Sequence, residues 1–83
     1  MKITVRYFAS IREAVGRGSE AIETTAITLG ALRSELIARG DAHAASFGRG
    51  KAVRMALNQT LSGEAAQLAD GDEVAFFPPV TGG

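Results

Sequence analysis

The 83 residues, 46% of them hydrophobic, suit one globular domain with a thin core and leave little room for a deep catalytic cleft. Nine Lys plus Arg balance nine Asp plus Glu, so no excess of positive charge marks the chain for nucleic acid or for an anionic membrane. Cysteine is absent, which removes disulfides and thiolate metal sites and points to a reducing cytoplasm, since a secreted domain this small usually needs such staples.

From Lys2 to Phe8 the pattern has period two, with Ile3, Val5 and Tyr7 on one face and Lys2, Thr4, Arg6 and Phe8 on the other. That is a half-buried strand, and neither a signal peptide nor a membrane span. Ser10-Ile11-Arg12-Glu13 has the spacing of a capping box for a short helix that Gly16 would end. Ser19 to Thr25 alternates weakly and carries β-branched residues, as a second strand would. Thr28 can cap the main helix, in which Leu29, Leu32, Leu36 and Ile37 recur at helical spacing, and Gly40 stands where a left-handed C-terminal residue is wanted.

Asp41 to Lys51, rich in Ala and Gly, fits either another helical turn or a loop. Val53, Met55 and Leu57 alternate with Ala52, Arg54 and Ala56 in a third strand, Asn58-Gln59 suits a turn, and Thr60-Leu61 can begin a short return strand. Asp70-Gly71-Asp72 is a turn signal, followed by a last strand, Glu73 to Phe77, with Val74 and Phe76 opposite Ala75 and Phe77. Two strands, a helix and two or three further strands give the order of an α+β β-grasp, a mixed sheet packed on one main helix.

This predicts a domain over residues 1–77 and an extended tail over 78–83. Pro78-Pro79 directly follows the last strand; proline cannot donate to a ladder, and a Pro-Pro pair favours stiff extended backbone. Six residues reach about 20 Å when extended. Gly82-Gly83 would let a narrow channel admit the backbone and leave the final carboxylate open to activation, although a Gly-Gly end alone is more often an ordinary frayed terminus. The odds shift with Phe8 and Phe77, both out of phase with the core: on neighbouring strands they would form an exposed apolar patch, joined by Leu61, of the kind that marks a partner site. A bulge that buries both rings is the plainer alternative.

Three other signals are read as structural. His43, the single histidine, has no partner set at metal spacing and reads as a solvated loop residue. Asp70, Asp72 and Glu73 belong to a turn, and Gly48-Arg49-Gly50-Lys51 lacks the full phosphate-loop spacing.

Asn58-Gln59-Thr60-Leu61 and the ending Asp70-Gly71-Asp72-Glu73-Val74-Ala75-Phe76-Phe77-Pro78-Pro79-Val80-Thr81-Gly82-Gly83 resemble the small-subunit family of molybdopterin synthase, as does Phe8-Ala9-Ser10-Ile11-Arg12-Glu13. Gly16 to Lys51 agrees mainly in element order. The resemblance implies a ubiquitin-like β-grasp sulfur carrier in the cytoplasm. Its C-terminal Gly83 would be adenylated by a separate activating enzyme using ATP, then converted to a thiocarboxylate with sulfur from a sulfurtransferase donor. The tail, with Thr81 and Gly82 leading to Gly83, would enter the large catalytic subunit of a heterotetramer. There sulfur would pass to cyclic pyranopterin monophosphate to build the molybdopterin dithiolene, in two transfers per product.

The lack of cysteine agrees, because no persulfide can form on this chain and a terminal acyl group remains to hold activated sulfur. In the family's terms Phe8, Leu61 and Phe77 match the hydrophobic face that contacts the large subunit, and the activating enzyme would use an overlapping surface. No metal and no permanently bound cofactor is expected, and the chain would be a sulfur-donating subunit, not an enzyme alone. Rival readings are a carrier serving thiamine thiazole, a protein modifier joined through Gly83 to lysines, and an interaction domain with an inert tail.

Overall fold

A computed structural model describes residues 1–47 and 52–79. Its elements run β1 (Lys2–Tyr7), α1 (Ala9–Val15), β2 (Ser19–Glu23), α2 (Leu29–Ile37), α3 (Asp41–Phe47), β3 (Arg54–Leu57), β4 (Thr60–Ser62) and β5 (Glu73–Phe77). The five strands form one sheet in the order β2-β1-β5-β3-β4. Among the described residues only β1 and β5, the first and last strands, pair in parallel, with Val5 opposite Val74 and Tyr7 opposite Phe76. The other pairs are antiparallel. This is the expected mixed sheet of a β-grasp.

Alternation decides which face is inner. Ile3, Val5 and Tyr7 of β1 and Val74 and Phe76 of β5 are buried, and Leu29, Leu32 and Leu36 of α2 close over them. The helical spacing of those leucines sets all three on one stripe. Thr28 caps α2 as expected, its Oγ1 accepting from Ala31 N–H at 3.1 Å. At the other end the cap is Ala38, in right-handed backbone, and Gly40 follows two residues on at φ +122°.

Two sequence expectations need correction. Ser10 does not cap α1. Phe8 holds that place in extended backbone with no side-chain cap, and its carbonyl accepts from Ile11 and Arg12. The cause is the neighbouring strand: Phe8 N–H donates to Phe76 C=O at 3.2 Å, so the helix starts where β1 stops and Ser10 already lies in the first turn. Gly16 does end α1, at φ +90°.

The helical layer, with α2 as its main helix, also includes a short third helix. The stretch left open after Gly40 forms α3, which delivers Phe47 to the core, fully buried and stacked on Phe76 with ring centroids 4.7 Å apart. Finally, His43 is not a solvated loop residue. It sits on α3 with its ring edge-on to Tyr7 and Phe47 at 6.0 and 5.7 Å. Gly48-Arg49-Gly50-Lys51 lies outside the described residues.

Candidate functional site: the outer sheet face at the tail root

Because β5 is parallel to β1, both strands end at the same pole of the sheet. Phe8 leaves β1 there, and Pro78 and Pro79 follow β5. From this pole an open groove of about 620 Å³ runs along the outer face, lined by Arg6, Phe8, Ala56, Ala75, Phe77, Pro78 and Pro79 and reaching Gln59 and Glu73 toward the other end. The two phenylalanines expected to meet do share it. Phe8 is 39% exposed, and Phe77 is half-buried, less open than its alternation suggested, since the groove's other apolar walls shelter its ring.

Leu61, 61% exposed, sits on the same face but two strands across from β1's neighbour β5: it pairs with Ala56, which pairs with Ala75. It lines an adjoining groove, not the one holding the rings. Thr81, Gly82 and Gly83 lie outside the described residues.

Arg6 was not singled out in the sequence, yet it lies over Phe8 with its guanidinium carbon 5.2 Å from the ring centroid, and its Nη1 is 3.9 Å from Glu73. The signal was available in the alternation, which puts Arg6 and Phe8 on one face. The ion pair is partly exposed and contributes little stability by itself.

Behind the sheet a polar cluster holds the end of β1 from which Phe8 emerges. Tyr7 O–H donates to Glu20 at 2.7 Å, and Arg39 donates to the other Glu20 oxygen at 2.8 Å. Burial pushes the Tyr7 phenol up, with the Glu20 hydrogen bond adding to it. Burial also pushes the Glu20 carboxyl up, but the hydrogen bonds from Arg39 and Tyr7 and the nearby arginine charges outweigh it and hold Glu20 below the usual range. His43 Nε2, 3.8 Å from Glu20, is buried with no hydrogen-bond partner among the described residues. Glu20 faces inward in phase with Ile22, and that acid on a core face was the missed sequence signal.

Asn58 and Asp72 tie the turns at the opposite pole. Asn58 donates from Nδ2 to Asp72 at 3.0 Å and accepts from Glu73 N–H at 2.9 Å. The Asn58 hydrogen bond, then the Ala69 N–H, keep the Asp72 carboxyl below its usual range. These acids hold a turn together. Among the described residues no group of three or more His, Asp or Glu could hold a metal ion, and no helix is long and apolar enough to cross a membrane.

A ubiquitin-like β-grasp domain whose last strand runs out beside an apolar face defines a class, and a family model described as the ThiS family matches residues 5–83; the chain belongs to that family. Within it, the chain is 46% identical over 81 residues to the molybdopterin synthase sulfur carrier subunit of Escherichia coli K12, covering 98% of this chain and 99% of the relative. Among solved structures, the complex of subunits 1 and 2 of the molybdopterin-converting factor from Helicobacter pylori contains a chain with TM-score 0.71 and 30% identity, covering both chains fully. SAMP1 from Haloferax volcanii matches with TM-score 0.78 and 25% identity, again over 100% of each chain.

Proposed function

We propose that this chain is the sulfur-carrier subunit of molybdopterin synthase, its C-terminal Gly83 the atom-bearing end. The observation that carries the reading is the exit of the chain at Pro78-Pro79 beside a face bearing Phe8 and Phe77, so that one partner surface can grip the domain while receiving the tail. Near-full-length identity to a named sulfur carrier supports the same reading.

A bare carboxylate is a poor acyl donor. An activating enzyme would therefore join Gly83 to the AMP portion of ATP, releasing pyrophosphate; a persulfide on a sulfurtransferase donor would attack the acyl carbon and expel AMP, and a thiol reductant would cleave the resulting acyl disulfide to leave a thiocarboxylate. In the large subunit that sulfur would attack cyclic pyranopterin monophosphate, and water would then cleave the resulting thioester to return Gly83 as a carboxylate, one sulfur per carrier and two carriers per dithiolene, while the large subunit supplies the catalytic side chains. Thr81 and Gly82 thread the channel, their small size keeping it narrow. Phe8, Phe77 and Leu61 form the face that docks on the large subunit, and the activating enzyme competes for an overlapping surface. The reactions belong in the cytoplasm, where a thiocarboxylate stays reduced. The assembly that goes with this reading is a heterotetramer of two carriers and two large subunits.

The test is intact mass after incubation with ATP, the activating enzyme and a sulfur source, for the full chain and for a chain lacking Gly83. Replacement of one oxygen by sulfur in the full chain alone is the expected result. If neither chain changes, the carrier reading fails. If adducts to lysines of other proteins appear in place of the thiocarboxylate, the chain is a protein modifier.

A further inference from the structure

A cation stands between two of the apolar side chains assigned above to the docking face, and the following rests on that assignment. Arg54 lies directly opposite Phe77 in the β3–β5 pair. Two residues on, Ala56 is opposite Leu61 in the β3–β4 pair. Residues two apart on a strand share a face, so Arg54 sits beside Phe77 on one flank and diagonal to Leu61 on the other. Arg54 and Leu61 also line one groove, at the margin of the sheet where Arg33 of α2 and Met55 border it as well. A partner surface that touches both Phe77 and Leu61 therefore covers Arg54.

The cations of this face differ in what they bring to a complex. Arg6 carries its own counter-charge, Glu73, and lies over Phe8. Arg54 is exposed and has no ion pair among the described residues. Glu64 lines the same groove, but its carboxylate is 3.4 Å from Arg33. In the free chain water solvates the Arg54 guanidinium. Once covered it loses that water, and a buried charge without a partner is strongly unfavourable.

We propose that the protein surface docking here presents an Asp or Glu carboxylate to Arg54, set beside the socket that takes Phe77. The planar guanidinium fork suits a carboxylate held in two parallel hydrogen bonds, which fixes orientation as well as charge. The pair would confer specificity: an apolar socket lacking the acid would have to desolvate Arg54 for nothing in return.

The experiment measures the dissociation constant of the full chain with the large subunit encoded by the same genome, for the native protein, Arg54→Glu, Arg54→Met, Arg54→Lys and Phe77→Ala, each checked first for an unchanged melting temperature or corrected for its folded fraction. Weakening by roughly 100-fold for Arg54→Glu, roughly tenfold for Arg54→Met and only a few-fold for Arg54→Lys is expected. A carboxylate-to-lysine change in the large subunit that restores binding of Arg54→Glu identifies the partner acid. If Phe77→Ala weakens binding while Arg54→Glu and Arg54→Met stay within twofold of native, Arg54 faces water and the inference fails with the docking face intact. Tighter binding by Arg54→Met also overturns it, since the cation would then be an uncompensated cost. If Phe77→Ala binds like the native chain, the docking face itself is wrong.

Discussion

Asn58 occupies the first central position of the two-residue turn between β3 and β4, with φ +50°, and Gln59 follows at φ +69°. Two positive φ values in a row are what a type I′ hairpin requires, and asparagine tolerates them better than most residues. Its amide also bonds Asp72 and Glu73, locking this hairpin to the turn that launches β5. Replacing Asn58 by Ala is expected to cost about 2 kcal/mol, from backbone strain and lost hydrogen bonds together. Asn58→Gly, which relieves the backbone, should lose only about 1 kcal/mol. Urea denaturation of both separates the terms; equal losses would show that the backbone conformation contributes nothing. The turn itself was legible in the sequence. Its bonds to residues 72 and 73 were not, because pairing across 14 or more residues depends on which strands become neighbours.

At the scale of elements, one cluster joins β1, β2, α3 and the segment after α2. Tyr7 and Arg39 each donate to Glu20 there, and His43 packs beside them. Since Glu20 is held below its unfolded value, the folded chain releases that proton more readily than the unfolded one. The resulting stability is fully present above the unfolded value, about pH 4.3, and is lost as pH falls through the lower folded value. Melting curves from pH 7 to pH 3 should therefore fall more steeply below about pH 4.3 for the native chain than for Glu20→Gln. Parallel curves would mean that Glu20 is not what makes the fold acid-sensitive. The strands on either side of this cluster were readable from alternation. The Ala-rich run of α3 has no apolar stripe to mark it as a helix, and Phe47 becomes an anchor only against Phe76 and Tyr7 from strands distant in sequence.

At the scale of the whole molecule, the stable body and the proposed docking surface are separable. The core lies between the inner sheet face and the helices, whereas Phe77 is half-buried on the outer face. Phe77→Ala should accordingly leave the chain folded, at a cost of about 1–2 kcal/mol, while weakening the complex with the large subunit more than tenfold. Near-ultraviolet circular dichroism and a binding titration on the same sample check both halves. Global unfolding would place the ring in the core and contradict the separation.

Phe8 and Phe77 were both identifiable as out of phase with the core from the sequence, because a period of two is a local property and each strand displays it alone. The Pro78-Pro79 stop and the ending Thr81-Gly82-Gly83 were likewise plain, as were the cap at Thr28 and the turn at Asp70-Gly71-Asp72. What the sequence by itself determined was thus the local list: strands, main helix, turns, the end of the sheet and the kind of chemistry a glycine terminus permits. Only the tertiary structure decided that β1 and β5 lie side by side and parallel, bringing Phe8, Phe77 and the departing chain to one pole, with Arg54 set between Phe77 and Leu61. The physical reason is that side-chain alternation fixes which face each strand buries, whereas the order of strands in a sheet depends on pairings across the full length of the chain that no local pattern encodes.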